Sequence, residues 1–81
     1  MPMLSLKIVS PEKIIFDGNV ESIRVPGTLG SFEVLENHAP IISSLETGVV
    51  EYSTQDGMNT LNIKGGFVEV KMNEVNVCVE I

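Results

Sequence analysis

Apolar and polar positions alternate with a period of two along almost the whole chain, and no window of 11 or more residues keeps helical spacing. The pattern predicts an all-β protein. Leu4, Leu6 and Ile8 point one way while Ser5, Lys7 and Val9 point the other, and Pro11 ends that strand because it cannot donate to a ladder. Ile14, Ile15 and Phe16 lead into Asp17-Gly18, residue types suited to positive φ, so a first hairpin is expected to turn there and return along Val20 to Val25. Val20, Ile23 and Val25 do not share parity, which predicts a bulge or bend near Glu21-Ser22.

Pro26-Gly27 and Gly30 mark a loop, followed by a short strand, Ser31 to Leu35, with Phe32 and Val34 inward. The run Glu36-Asn37-His38-Ala39-Pro40 has no period and is expected to be a connection, after which Ile41 to Leu45 re-enters the core. Strands are expected over Val49–Thr54, Asn59–Lys64 and Phe67–Lys71, separated by Gln55-Asp56-Gly57 and by Gly65-Gly66. A turn at Met72-Asn73-Glu74 leads to a last strand carrying Val75, Val77, Val79 and Ile81. About ten such short strands cannot leave both faces wet, so the expected architecture is a flattened β-sandwich of two sheets, with a meander as the simplest topology. Gly18, Pro40, Gly65 and Gly66 are read as positions where the sandwich turns or bulges.

Length narrows this to one domain over residues 1–81, because two cores in 81 residues would each be too small to fold unaided. Burial and chain entropy nearly cancel at this size, so good packing or a partner is expected to supply stability. Eleven acidic against five basic residues give a formal charge of −6, the wrong sign for a nucleic-acid backbone or an anionic lipid surface. Direct membrane insertion is not expected either, since no apolar run approaches the roughly 18 residues a spanning helix needs. A single cysteine, Cys78, and the start Met1-Pro2-Met3 point to a reducing cytosolic compartment without a signal peptide.

Candidate chemistry is sparse. His38 is the sole histidine and Cys78 the sole cysteine, which leaves no zinc set, and no phosphate loop or calcium-loop pattern occurs. His38 reads as a loop histidine bonded to backbone or facing a partner, and Cys78, between Val77 and Val79, as an inert strand residue. No cofactor is implied and no enzyme activity is expected. Beside what the motifs below imply, one other reading stays open: a free-standing β-sandwich that binds a ligand or protein.

An ordered set of motifs bears on that choice. Leu6-Lys7-Ile8-Val9-Ser10-Pro11-Glu12 is followed by Phe16-Asp17-Gly18, Gly30-Ser31-Phe32, Asn37-His38-Ala39-Pro40, Leu45-Glu46-Thr47-Gly48, Gly65-Gly66-Phe67-Val68-Glu69-Val70 and Asn73-Glu74-Val75. With these the chain resembles the amino-terminal domain of the epsilon subunit of F-type ATP synthase, colinearly over residues 4–81. The resemblance implies a flattened sandwich and a non-catalytic rotor subunit of the central stalk, coupling ion-driven rotation to ATP synthesis. Implied partners are the gamma subunit, the polar loops of the c-ring and, indirectly, the catalytic alpha-beta hexamer, at the cytoplasmic face of a bacterial inner membrane. By the same resemblance His38, Ala39, Ile42 and Ser43 fall on the gamma-facing surface, and Thr28, Leu29, Gly30 and Ser31 on the ring-facing loop. At Ser31 the family often carries an acidic residue, so serine implies a weaker contact with a basic ring loop. Family members usually continue into a two-helix hairpin, and a subunit that ends at Ile81 is expected to couple rotation without the hairpin's brake on hydrolysis.

Overall fold

The computed structural model describes residues 3–81; Met1 and Pro2, two of the three residues read for a signal peptide, lie outside them. Nine strands form among the described residues: β1 (Leu4–Val9), β2 (Ile14–Val20), β3 (Ser22–Val25), β4 (Phe32–Val34), β5 (His38–Leu45), β6 (Gly48–Thr54), β7 (Gly57–Ile63), β8 (Gly65–Met72) and β9 (Glu74–Glu80). They make a five-stranded sheet in the order β2-β1-β9-β8-β5 and a four-stranded sheet in the order β4-β3-β6-β7. The two sheets form the expected β-sandwich, flattened to 32 × 24 × 18 Å, with nine strands where about ten were expected.

Alternation chooses the buried side of each strand. Leu4, Leu6 and Ile8 on β1 and Val75, Val77 and Val79 on β9 all turn into the core, in one buried cluster with Ile23, Val25, Val34 and Val50 of the other sheet. Among the described residues no polar or charged side chain is buried, so the interior is held by apolar packing alone. Phe16 and Tyr52 clip the two sheets together at one side, their ring centroids 4.7 Å apart and tilted by 50°.

The meander is not what the chain builds. β1 lies parallel to β9, with Ser5 opposite Glu74 and Val9 opposite Cys78, which places the first and last strands side by side in the middle of the larger sheet. The first hairpin also differs from expectation. It is β1–β2, closed where Ser10 N–H donates to the Lys13 carbonyl at 2.9 Å, and Asp17-Gly18 lies inside β2 opposite Lys7 and Leu6. Gly18 is therefore no turn: strand pairing with β1 extends the backbone straight through it. The irregularity expected near Glu21-Ser22 is a corner at Glu21, where the chain leaves the larger sheet for the smaller one.

Two further segments expected to be connections are strand. β5 begins at His38, so Ala39 and Pro40 belong to an edge strand that carries a bulge. Gly65 and Gly66 open β8, and only Lys64 separates it from β7. Lys64 spans that corner with its N–H donating to the Glu80 carbonyl at 2.6 Å and its own carbonyl accepting from Thr47 Oγ1 at 2.9 Å. Gly66 has φ +147°, and a Cβ placed on it would meet the Cys78 carbonyl oxygen at 2.0 Å. Its role is close approach of β8 to β9.

Candidate interaction surface

β5 is an outer strand of the larger sheet, bonded to β8 on one side only. Its pairing shifts between His38, opposite Met72, and Ile41, opposite Val70. Two residues, Ala39 and Pro40, therefore face the single residue Lys71. Proline has no N–H for a ladder, so a bulge at a sheet edge accommodates it. Downstream of the bulge the register is regular, with Ile42 opposite Glu69 and Ser43 opposite Val68. Val68 is buried, so Ser43 shares its core side at the border of the sheet, half-buried, while Ile42 stands on the outer face at 72% exposure. His38 is half-buried at the start of the strand, its Nδ1 2.7 Å from the Ala39 carbonyl oxygen, where the Nδ1–H tautomer donates.

The start of β5 is held by amides. Asn37 takes φ 58°, its N–H donates to Asn73 Oδ1 at 2.7 Å, and Asn73 Nδ2 donates to Asn37 Oδ1 at 3.4 Å. This pair pins the segment before His38 to the β8–β9 turn. Asn37 is a residue type that tolerates left-handed backbone, but its partner 36 residues away leaves no mark on local pattern.

Beside the bulge, Pro40, Ile41, Ile42, Glu69, Val70 and Lys71 line a shallow groove of about 360 Å³. Its rim carries the ion pair Lys71 Nζ–Glu69 Oε2 at 3.8 Å, exposed to water and so worth little to stability. The strand thus presents an apolar stripe with a charged border.

The loop Thr28–Ser31 is tied to the opposite end of the same strand. Thr28 N–H donates to the Ser44 carbonyl at 3.1 Å, Gly27 bridges to Leu45, and Glu46 N–H donates to the Pro26 carbonyl at 2.9 Å. Gly30 N–H closes a turn on the Gly27 carbonyl at 2.9 Å, and Gly30 itself has φ +126°. This leaves Leu29 at the tip with its side chain wholly in solvent and Ser31 exposed beside it. Gly27, read from the sequence only as part of the loop's punctuation, holds its base: a Cβ there would sit 2.7 Å from the Gly30 carbonyl oxygen.

His38 and Cys78 are not brought together. Cys78 pairs with Val9 and Phe67 and His38 with Met72, near opposite ends of the sheet. Among the described residues no three His, Cys, Asp or Glu side chains gather as a metal site would require. No helix of the protein is long and apolar enough to cross a membrane, among the described residues.

Residues 3–81 match the family model described as ATP synthase, delta/epsilon chain, beta-sandwich domain. The chain belongs to that family. Its relatives in the ATP synthase delta/epsilon family include the ATP synthase epsilon chain of Leptospira borgpetersenii serovar Hardjo-bovis, 40% identical over 77 residues, which are 95% of this chain and 61% of that one. The ATP synthase epsilon chain of Gloeothece citriformis is also 40% identical, over 76 residues covering 94% of this chain and 55% of the relative. The chain thus spans between about half and two thirds of the length of these epsilon chains. Among solved structures, a chain of the Euglena gracilis mitochondrial ATP synthase OSCP/F1/c-ring assembly superposes with a TM-score of 0.90 at 22% identity, covering 98% of this chain and 51% of that one. A chain of the Tetrahymena thermophila mitochondrial ATP synthase central stalk and c-ring gives 0.82 at 15%, covering 96% and 63%. At such identities these two likenesses speak to the delta/epsilon sandwich fold.

Proposed function

We propose that this epsilon-type sandwich is a non-catalytic subunit of an ATP synthase central stalk, joining a gamma subunit to the polar loops of a c-ring. In that role it transmits rotation toward the catalytic alpha-beta hexamer as a peripheral part of a membrane-bound complex. The observation that carries the reading is that one edge strand gathers His38, Ala39, Ile42 and Ser43 and is tied at its far end to the loop bearing Leu29. A rotor part must pass torque between two partners without yielding. The backbone bonds from Thr28 to Ser44 and from Glu46 to Pro26 couple the two surfaces through a short, rigid path.

His38, Ala39, Ile42 and Ser43 then meet gamma, with Ile42 as the apolar anchor, and Thr28, Leu29, Gly30 and Ser31 meet the ring. The test is co-expression with the cognate gamma subunit and gel filtration of the complex. Ser43→Arg and His38→Asp each bring an uncompensated charge to the contact, a change on the order of 2–5 kcal/mol in binding. Both are expected to abolish co-elution with little loss of fold in the free chain, read as a melting temperature that falls far less than binding does. Failure of the unmodified chain to co-elute, or an equal loss of fold in the variants, would overturn the reading.

A further inference from the structure

Four strands lie at the borders of the two sheets, and three of them are blunted. β4 is only three residues long, β5 carries Pro40 and a bulge, and β2 carries a register shift between its pairs with Ile8 and Val9 and a charge at Asp17. These are the usual devices against edge-to-edge association. β7 has none: Gly57–Ile63 holds seven residues without charge or proline, in unbroken register with β6.

The bonding pattern tells which of its backbone groups are free. The Ser53 carbonyl accepts from Glu21 N–H at 2.7 Å, on the β3 side of β6, so Ser53 and Met58 form a non-hydrogen-bonded pair. Bonded and non-bonded pairs alternate in an antiparallel ladder. Met58, Thr60 and Asn62 therefore turn their N–H and C=O away from β6, toward the open edge.

We propose that this edge pairs with the same edge of a second copy of the chain, antiparallel about a two-fold axis at Thr60. In that register Thr60 faces Thr60 and Met58 faces Asn62, so the residues with free backbone groups meet as hydrogen-bonded pairs. The strand's flanking charges agree. Asp56 precedes β7 and Lys64 follows it, and the same register sets Asp56 of each copy opposite Lys64 of the other. Neither side chain is in an ion pair within the chain, where Glu69–Lys71 is the one ion pair among the described residues. Leu61, half-buried at the border of the sandwich, gains cover from Asn59 across the seam. The result is an eight-stranded sheet, β4-β3-β6-β7 doubled, that leaves β5 and the Leu29 loop free.

Sedimentation equilibrium on the free chain from micromolar to millimolar, at moderate salt, tests this. The expected mass rises toward twice 8.8 kDa. Thr60→Lys sets like charges face to face on the axis and is expected to leave a monomer with an unchanged melting temperature. Lys64→Glu turns two attractions into two repulsions and is expected to weaken association about tenfold. Combining Lys64→Glu with Asp56→Lys is expected to restore it, an outcome specific to this register and independent of whether Thr60→Lys folds. An unmodified chain that stays monomeric throughout overturns the proposal, as does a dimer indifferent to both charge changes. Gamma binding by the Thr60→Lys monomer is expected to be intact, so failure here is separate from failure of the stalk reading.

Discussion

Alanine at Gly66 is expected to destabilise the sandwich far more than alanine at its neighbour Gly65. Two costs meet at Gly66. Its φ of +147° lies where L side chains are strained, at roughly 1–3 kcal/mol. Its Cβ would also stand 2.0 Å from the Cys78 carbonyl oxygen and 2.9 Å from the Val79 Cα, both of them backbone atoms that cannot rotate aside. A relaxed carbon–oxygen contact is roughly 3.3 Å. Restoring it moves β8 and β9 apart by more than about 1 Å and strips ladder bonds near Gly66↔Val79, each worth about 1 kcal/mol net. The sum is about 3–5 kcal/mol, against a total stability of roughly 4–12 kcal/mol for a chain this long. At about 4–8 °C per kcal/mol, the melting temperature falls by roughly 12 °C or more.

The other glycines separate the two costs. At Gly65 the nearest atom to a Cβ is the Leu45 carbonyl oxygen at 3.5 Å, an ordinary contact, and no positive φ is involved. At Gly30 φ is +126° but nothing lies within 4 Å, so Gly30→Ala carries the backbone strain alone. The expected order of thermal midpoints, read by circular dichroism with urea titrations as a check, is Gly65→Ala highest, Gly30→Ala next and Gly66→Ala lowest. Equal midpoints for Gly65→Ala and Gly66→Ala would refute the close-approach argument. Equal midpoints for Gly30→Ala and Gly66→Ala would reduce it to backbone strain.

Leu6→Ala removes a fully buried side chain from β1, with an expected loss of about 2–5 kcal/mol in urea unfolding, whereas Ile42→Ser on the outer face should cost under about 0.5 kcal/mol. Asn73→Ala takes the acceptor from Asn37 N–H. It should cost about 1 kcal/mol, with faster amide exchange confined to Asn37 and its neighbours as the sign that the hold on the start of β5 is gone.

Much of the interior was legible. The parity of Leu4, Leu6 and Ile8 and of Val75, Val77 and Val79 named core residues correctly, because strand period is a property of a few consecutive residues. Parity failure around Glu21 located a real irregularity, though it did not distinguish a bulge from a change of sheet. Asp17-Gly18 misled for a physical reason: its residue types favour a turn, and the ladder to Lys7 and Leu6 overrode that local preference. The surface residues on β5 and in the Thr28–Ser31 loop came from family resemblance. Pattern alone read the Glu36–Pro40 stretch as a connection.

By itself, then, the sequence determined strand character, the two-layer sandwich and most of the side chains that fill it. Those follow from alternation, which commits each residue to water or to the core without reference to distant partners. Tertiary structure alone decided that Ser5 lies beside Glu74, that the chain changes sheets at Glu21 and Lys64, and that β5 and β7 end up as borders. Neighbours in a sheet are chosen by which pairing buries the most apolar surface across the whole chain, after the entropy of closing long loops is met. No short window of residues contains that comparison, and the surfaces open to partners are its outcome.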